Sequence, residues 1–137
     1  MTHKIVTEWQ SDMHFVADAE GGNIVLDADE AVGGKGLGLR PKQLMLVSLS
    51  GCTGMDVASL LKKMRAEVEE FKIEVEGELT EEHPKVYKKV VVHYYFKDKN
   101  YKKDKIEKAV DLSVNRYCGV FEMFKHFCDI SHEIHYL

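Results

Sequence analysis

The sequence of 137 residues predicts an α+β domain. Two observations carry that reading. Short segments with apolar residues at every second position stand at both ends and in the middle of the chain, and stretches of helical spacing interrupt them. The resulting order is three strands, a long helix, two strands, two shorter helices and a final strand, with no internal repeat. The length fits one domain over residues 1–137, in which 45% apolar residues supply the core.

The first strands come from Ile5, Val6 and Trp9, then Met13, Phe15 and Ala17, then Ile24 to Leu26, separated by short polar turns that include Gly21-Gly22-Asn23. Residues 1–28 therefore read as an antiparallel meander. Residues 29–40 hold Gly33, Gly34, Gly36 and Gly38 and read as a glycine-rich, mobile linker. A phosphate loop does not fit there, because Lys35 is followed by Gly36 and no hydroxyl ligand for magnesium follows.

Residues 41–137 form the predicted core. Pro41 suits a first helical turn, and apolar residues from Leu44 to Met64 cover nearly the whole circumference, which predicts an enclosed helix. Ser48, Ser50, Thr53, Asp56 and Ser59 make that stretch too polar to be expected in lipid. Phe71, Ile73 and Val75, then Val86 to Phe96, form a hairpin around the polar turn Thr80 to Pro84. Lys102 to Tyr117 is a second helix, Val120 to Phe127 a third, and Asp129 to Leu137 a strand with Ile130, His132, Ile134 and Tyr136 on one face.

Charge excludes some functions. Nineteen Lys and Arg against 23 Asp and Glu leave a net charge of -4 with both signs scattered, so a phosphate-neutralising patch and nucleic-acid binding are not expected. No apolar run near Met1 to Gln10 resembles an export signal, and a reducing cytoplasm is the expected compartment. Three cysteines, an odd number without a C-x-x-C pair, argue against a disulfide framework or a zinc ribbon.

The cysteines are the candidates for chemistry. Cys52 lies between Gly51 and Gly54 in the middle of the long helix, where glycine costs about 0.5 to 1 kcal/mol relative to alanine. Either close approach of a helix or substrate to the sulfur explains the glycines, or Cys52 is an inert packed thiol. Cys118 stands at a break between two helices, where the next helix's N-terminus would lower its pKa, with Arg116 nearby. Cys128 reads as a bystander. The seven histidines include no His-x3-His pair, His132 and His135 fall on opposite faces of a strand, and convergence of His126, Cys128 and His132 lacks support, so no metal or other cofactor is expected.

Pro41-Lys42-Gln43-Leu44 running into Ser50-Gly51-Cys52, and Ala109-Val110-Asp111-Leu112-Ser113 running into Tyr117-Cys118-Gly119-Val120, resemble the OsmC/Ohr family of thiol-dependent hydroperoxide reductases. The 66 positions between the two cysteines match that family's layout, and the resemblance runs from Gly33 to Leu137. Gly51-Cys52 followed by Met55-Asp56-Val57, with Asp111-Leu112-Ser113, is similar to the YhfA-like subgroup.

The resemblance implies an intertwined homodimer in which antiparallel sheets wrap two long central helices. It also implies peroxiredoxin-like chemistry: Cys52 attacks a small organic hydroperoxide, Cys118 resolves the sulfenic acid to a disulfide, and a dithiol, lipoyl-like reductant restores both thiols. The peroxidase branches hold an arginine from the N-terminal strands against the thiolate with a glutamate. Here no arginine precedes Arg40, and the glutamate position falls on Lys42 or Gln43, so the activating pair is missing. Arg40 and Lys42 are the candidate substitute cations, and Gln43 and Asp56 complete the set of possible activating or substrate-contacting residues. Asp56, one turn after Cys52, opposes thiolate formation on its face. A second reading keeps the fold without the chemistry: Met45, Met55, Phe121, Met123 and Phe124 line an interface pocket that binds an apolar small molecule.

Overall fold

The computed structural model describes all 137 residues. The chain comprises two compact units, Met1–Met45 and Leu46–Leu137.

The first unit is the meander β1 (Val6–Ser11), β2 (His14–Ala19) and β3 (Gly22–Leu26), antiparallel in the order β1-β2-β3. The glycine-rich segment after it is tied down rather than free. Leu39 bridges to Leu26, a 3-10 turn covers Glu30–Val32, and the Asp27 carboxylate accepts from the backbone N–H groups of Ala28, Lys35 and Leu37 at 2.7, 3.3 and 3.1 Å. A Cβ on Gly34 would fall 1.9 Å from the Ala28 carbonyl oxygen, so this glycine marks close packing.

The helix α1 (Pro41–Lys63) begins at the proline. Its expected enclosure does not hold within one chain. Only the stripe Leu49, Thr53, Val57 and Leu61, spaced by four, is buried, while Val47 and Met55 are exposed, Met55 at 76%. The helix meets the length and composition test for a membrane span, yet its buried stripe packs into its own chain's core.

The second sheet has the order β4-β5-β6, with β4 (Glu70–Leu79) antiparallel to β5 (Tyr87–Lys97) and β6 (Asp129–Tyr136) parallel to β5. The expectation of purely antiparallel sheets is thus corrected. Between β5 and β6 run α2 (Lys103–Leu112), a π-helical turn (Ser113–Tyr117) and α3 (Gly119–Lys125), a crossover that returns the chain to run in the same direction. One face of this sheet carries Val90, Val92, Tyr94 and Phe96 into a core shared with Leu49 and Val57 of α1, Ile106, Ala109 and Val110 of α2, and Phe121 and Phe124 of α3. Only α1 is long in this chain; α2 has 10 residues.

Candidate functional site

Cys52 is half-buried in α1, and Cys118 is buried where the π-helical turn meets α3. Widening the last helical turn lets the Cys118 N–H reach the Ser113 carbonyl at 2.8 Å, five residues back, and Cys118 then caps α3. The sulfurs of Cys52 and Cys118 and a carboxylate oxygen of Asp56 all lie within 4.8 Å of one another. Two thiols and a carboxylate at that spacing have the donor chemistry to hold a soft divalent ion as well as to exchange electrons.

Beneath this group runs a chain of hydroxyls. The Ser113 hydroxyl donates to Asp56 at 3.0 Å, Thr53 Oγ lies 2.7 Å from Ser113, and Tyr94 Oη lies 2.6 Å from Thr53. Each hydroxyl has a single proton, so the donation at Asp56 sets the direction of the whole chain: Tyr94 to Thr53, Thr53 to Ser113, Ser113 to the carboxylate. Thr53 and Ser113 are both fully buried. The network fastens α1, β5 and the π-helical turn at the place where the two cysteines meet.

Burial pushes the Cys118 thiol up to about 12, followed by its hydrogen bond with Cys52; the Phe121 N–H, 3.3 Å from the sulfur, pulls the other way, and the charges of Cys52 and Asp56 raise it further. The expected lowering by the α3 N-terminus is therefore present but outweighed by desolvation. Tyr94 is likewise pushed up to about 12 by its burial.

The other expected site residues lie as follows. The Arg40 guanidinium is engaged by the Asp29 carboxylate and donates to the Gly38 carbonyl at 2.6 Å, while Lys42 and Gln43 occupy the first turn of α1. Gly54 is close-packed, since a Cβ there would sit 3.1 Å from Ile73, whereas Gly51 faces open space. Within the chain, close approach is therefore seen at Gly54, and the surface at Gly51 is open. Phe121 and Phe124 belong to the core, Met123 is exposed, and Met55 lines a shallow groove with Phe71 and Ile73. Cys128 donates to the Phe124 carbonyl at 3.4 Å, and His126 faces Glu122 at 3.6 Å. Asp56, Ser59, Leu60, Lys63 and Tyr117 line a groove of about 320 Å3 that continues the Cys52–Asp56 face of α1.

Sequence reasoning found both cysteines and Asp56 but missed the roles of Thr53, Ser113 and Tyr94. The available signal was polarity at core-facing positions: Thr53 lies on the same stripe as Leu49 and Val57, and Ser113 follows Ala109 and Val110. Nothing in the residues themselves announces the π-helical turn.

Residues 33–133 match the family described as OsmC-like protein. The chain is 28% identical to Protein YhfA of Escherichia coli K12 over 125 residues, 91% of each chain. It superimposes on a hypothetical protein from Aquifex aeolicus with a TM-score of 0.83 and 33% identity, covering 100% of this chain and 98% of that one. The organic hydroperoxide resistance protein OhrB of Bacillus subtilis shares the fold at a TM-score of 0.68 and 17% identity, with 98% of each chain covered. With a family match over most of its length and full-length structural likeness, this chain belongs to the OsmC-like protein family.

Proposed function

We propose that this chain is a thiol-dependent redox protein that reduces small organic hydroperoxides. The observation that carries the reading is the convergence of Cys52 and Cys118 with unequal exposure: the half-buried thiol can meet a substrate, and the buried one can meet only its neighbour. The Cys52 thiolate attacks the O–O bond of the hydroperoxide; a sulfur–oxygen bond forms, and the leaving alkoxide takes up a proton to become the alcohol. The Cys118 thiol then condenses with the Cys52 sulfenic acid to give a disulfide and water. A dithiol, lipoyl-like by family resemblance, reduces that disulfide and is itself oxidised. The groove beside Asp56 is the proposed approach for the substrate.

In place of the family's arginine and glutamate, the group beside the attacking sulfur is the Cys118 thiol, within 4.8 Å of it. The name of the Bacillus subtilis OhrB neighbour, an organic hydroperoxide resistance protein, supports the substrate class. The functional unit is proposed to be a homodimer in the cytoplasm, in which two copies bring two α1 helices together. Exposed Val47 and Met55 on α1, and exposed Trp9 in the first unit, are apolar surfaces for a second copy to cover.

The test exposes the reduced protein to cumene hydroperoxide and reads the intact mass. Loss of two hydrogens is expected in the native chain and not in Cys52→Ser or Cys118→Ser, and Cys118→Ser should accumulate a sulfenic acid that dimedone traps. If Cys52 remains a thiol under these conditions, the redox reading is wrong.

A further inference from the structure

On the sheet face opposite the core, β5 and β6 bring together a group that the mechanism does not use. His93 lies directly opposite Glu133 in the β5–β6 register, and His135 follows Glu133 by two residues on the same face. His93 Nδ1 is 3.0 Å from His135 Nε2 and 3.1 Å from a Glu133 carboxylate oxygen, and His135 Nε2 is 3.6 Å from that same oxygen. A tetrahedron drawn at zinc–ligand distances of about 2.0 to 2.1 Å has edges of about 3.3 Å. The three donor atoms thus form one face of such a tetrahedron.

Each imidazole is also held in orientation. The second ring nitrogen of His93, Nε2, lies 3.1 Å from a Glu76 carboxylate oxygen on β4, a contact that sets the ring with Nδ1 on the side of Glu133 and His135. The His93 side chain is only 13% exposed, which limits its choice of rotamer. The His135 ring stacks on Tyr95 with centroids 4.6 Å apart and planes 16° from parallel. Without an ion, these three acceptor atoms need a proton between them, carried on His93 Nδ1 or on His135 Nε2. A cation at the centre of the triangle satisfies all three lone pairs at once.

We propose that His93, Glu133 and His135 form a binding site for a divalent transition-metal ion of the zinc class, with Glu76 as the residue that positions His93 and with the fourth coordination position left to water. The nitrogen-rich donor set favours zinc, cobalt, nickel or copper over magnesium or calcium. Sequence spacing gives no sign of the site, because two of its ligands stand 42 residues apart and meet only through the parallel pairing of β5 with β6.

The experiment uses the full chain in a Cys52→Ser/Cys118→Ser background, which removes the thiol cluster as a competing ligand set. After chelator treatment, Zn2+ is titrated by calorimetry and Co2+ by absorption. Expected are one ion per chain, visible cobalt bands of four-coordinate type without a thiolate charge-transfer band, and affinity weakened at least tenfold in His135→Ala and in Glu133→Gln. Glu76→Gln should weaken binding by about tenfold or more while the chain stays folded, as loss of a second carboxylate layer does. Affinity unchanged in both His135→Ala and Glu133→Gln, or no binding at all in the cysteine-free background, would overturn the proposal. Because His135 and Glu133 lie on an edge strand and retain 36% and 59% exposure, both variants are expected to fold, and circular dichroism checks this.

Discussion

Thr53 and Ser113 hold their hydroxyls 2.7 Å apart although 60 positions separate them in the chain. This contact ties the helix that carries Cys52 to the π-helical turn that delivers Cys118. The spacing of the two sulfurs therefore depends on a buried polar link as well as on apolar packing.

Replacing Thr53 by valine keeps the shape but leaves the Tyr94 O–H without an acceptor. The expected cost in urea unfolding is about 2 kcal/mol, since a stranded buried donor loses its full hydration. Tyr94→Phe removes that donor and should cost less, about 1 kcal/mol. In the double variant the two costs should sum to more than the measured loss, because the second change removes the group that the first had stranded. Strictly additive costs would show that the hydroxyls do not act as one chain.

The Cys118 thiol also predicts a pH dependence. Its folded-state pKa is raised to about 12 by burial and by its neighbours, so the folded protein holds this proton more tightly than the unfolded chain does. The resulting stability is fully present below the unfolded thiol's pKa, near 9, and is lost as pH rises from there toward 12. Cys118→Val should flatten the decline between pH 8 and 10, whereas Tyr94, raised from 10, contributes only at higher pH. Urea midpoints measured across that range decide the matter.

Asp56 adds to the raised Cys118 pKa through its charge. Asp56→Asn removes that charge, makes the Cys118 thiolate easier to form, and should speed disulfide closure after a hydroperoxide pulse severalfold at fixed pH, one pKa unit being about tenfold in thiolate. Stopped-flow measurement of closure, with the initial oxidation of Cys52 followed separately, distinguishes this from an effect on the first step. Slower closure would assign Asp56 a helping rather than an opposing role.

An aspartate at Met55, which is 76% exposed, should leave a single chain's secondary structure intact and convert a dimer to monomers in sedimentation. A native chain that sediments as a monomer would instead mean that the apolar face of α1 has no second copy on it.

In the first unit, burial alone would raise the Asp27 pKa, but the N–H groups of Leu37, Ala28 and Lys35 outweigh it and hold the carboxyl below its ordinary value. Asp27→Ala removes the anchor of the segment from Ala28 to Leu37. Trypsin should then cut after Lys35 faster than in the native chain, and gel electrophoresis over a time course reads the difference.

The sequence by itself determined the order of the elements, because alternation and helical spacing are local properties of side chains on a strand or a helix. It also pointed to Cys52, Cys118 and Asp56, through glycines beside one thiol, a helix break beside the other, and a carboxylate one turn along. Tertiary structure decided what depends on distant partners. The parallel placement of β6 follows from the crossover, and the ordering of the glycine-rich segment follows from one buried carboxylate. The direction of the Cys118 shift was beyond local reading, since desolvation depends on everything packed around the sulfur, whereas a helix terminus acts only within its first turn. The same reason hid Thr53, Ser113 and Tyr94, and likewise His93 and His135: a hydroxyl or an imidazole declares its role only when the fold supplies its partner.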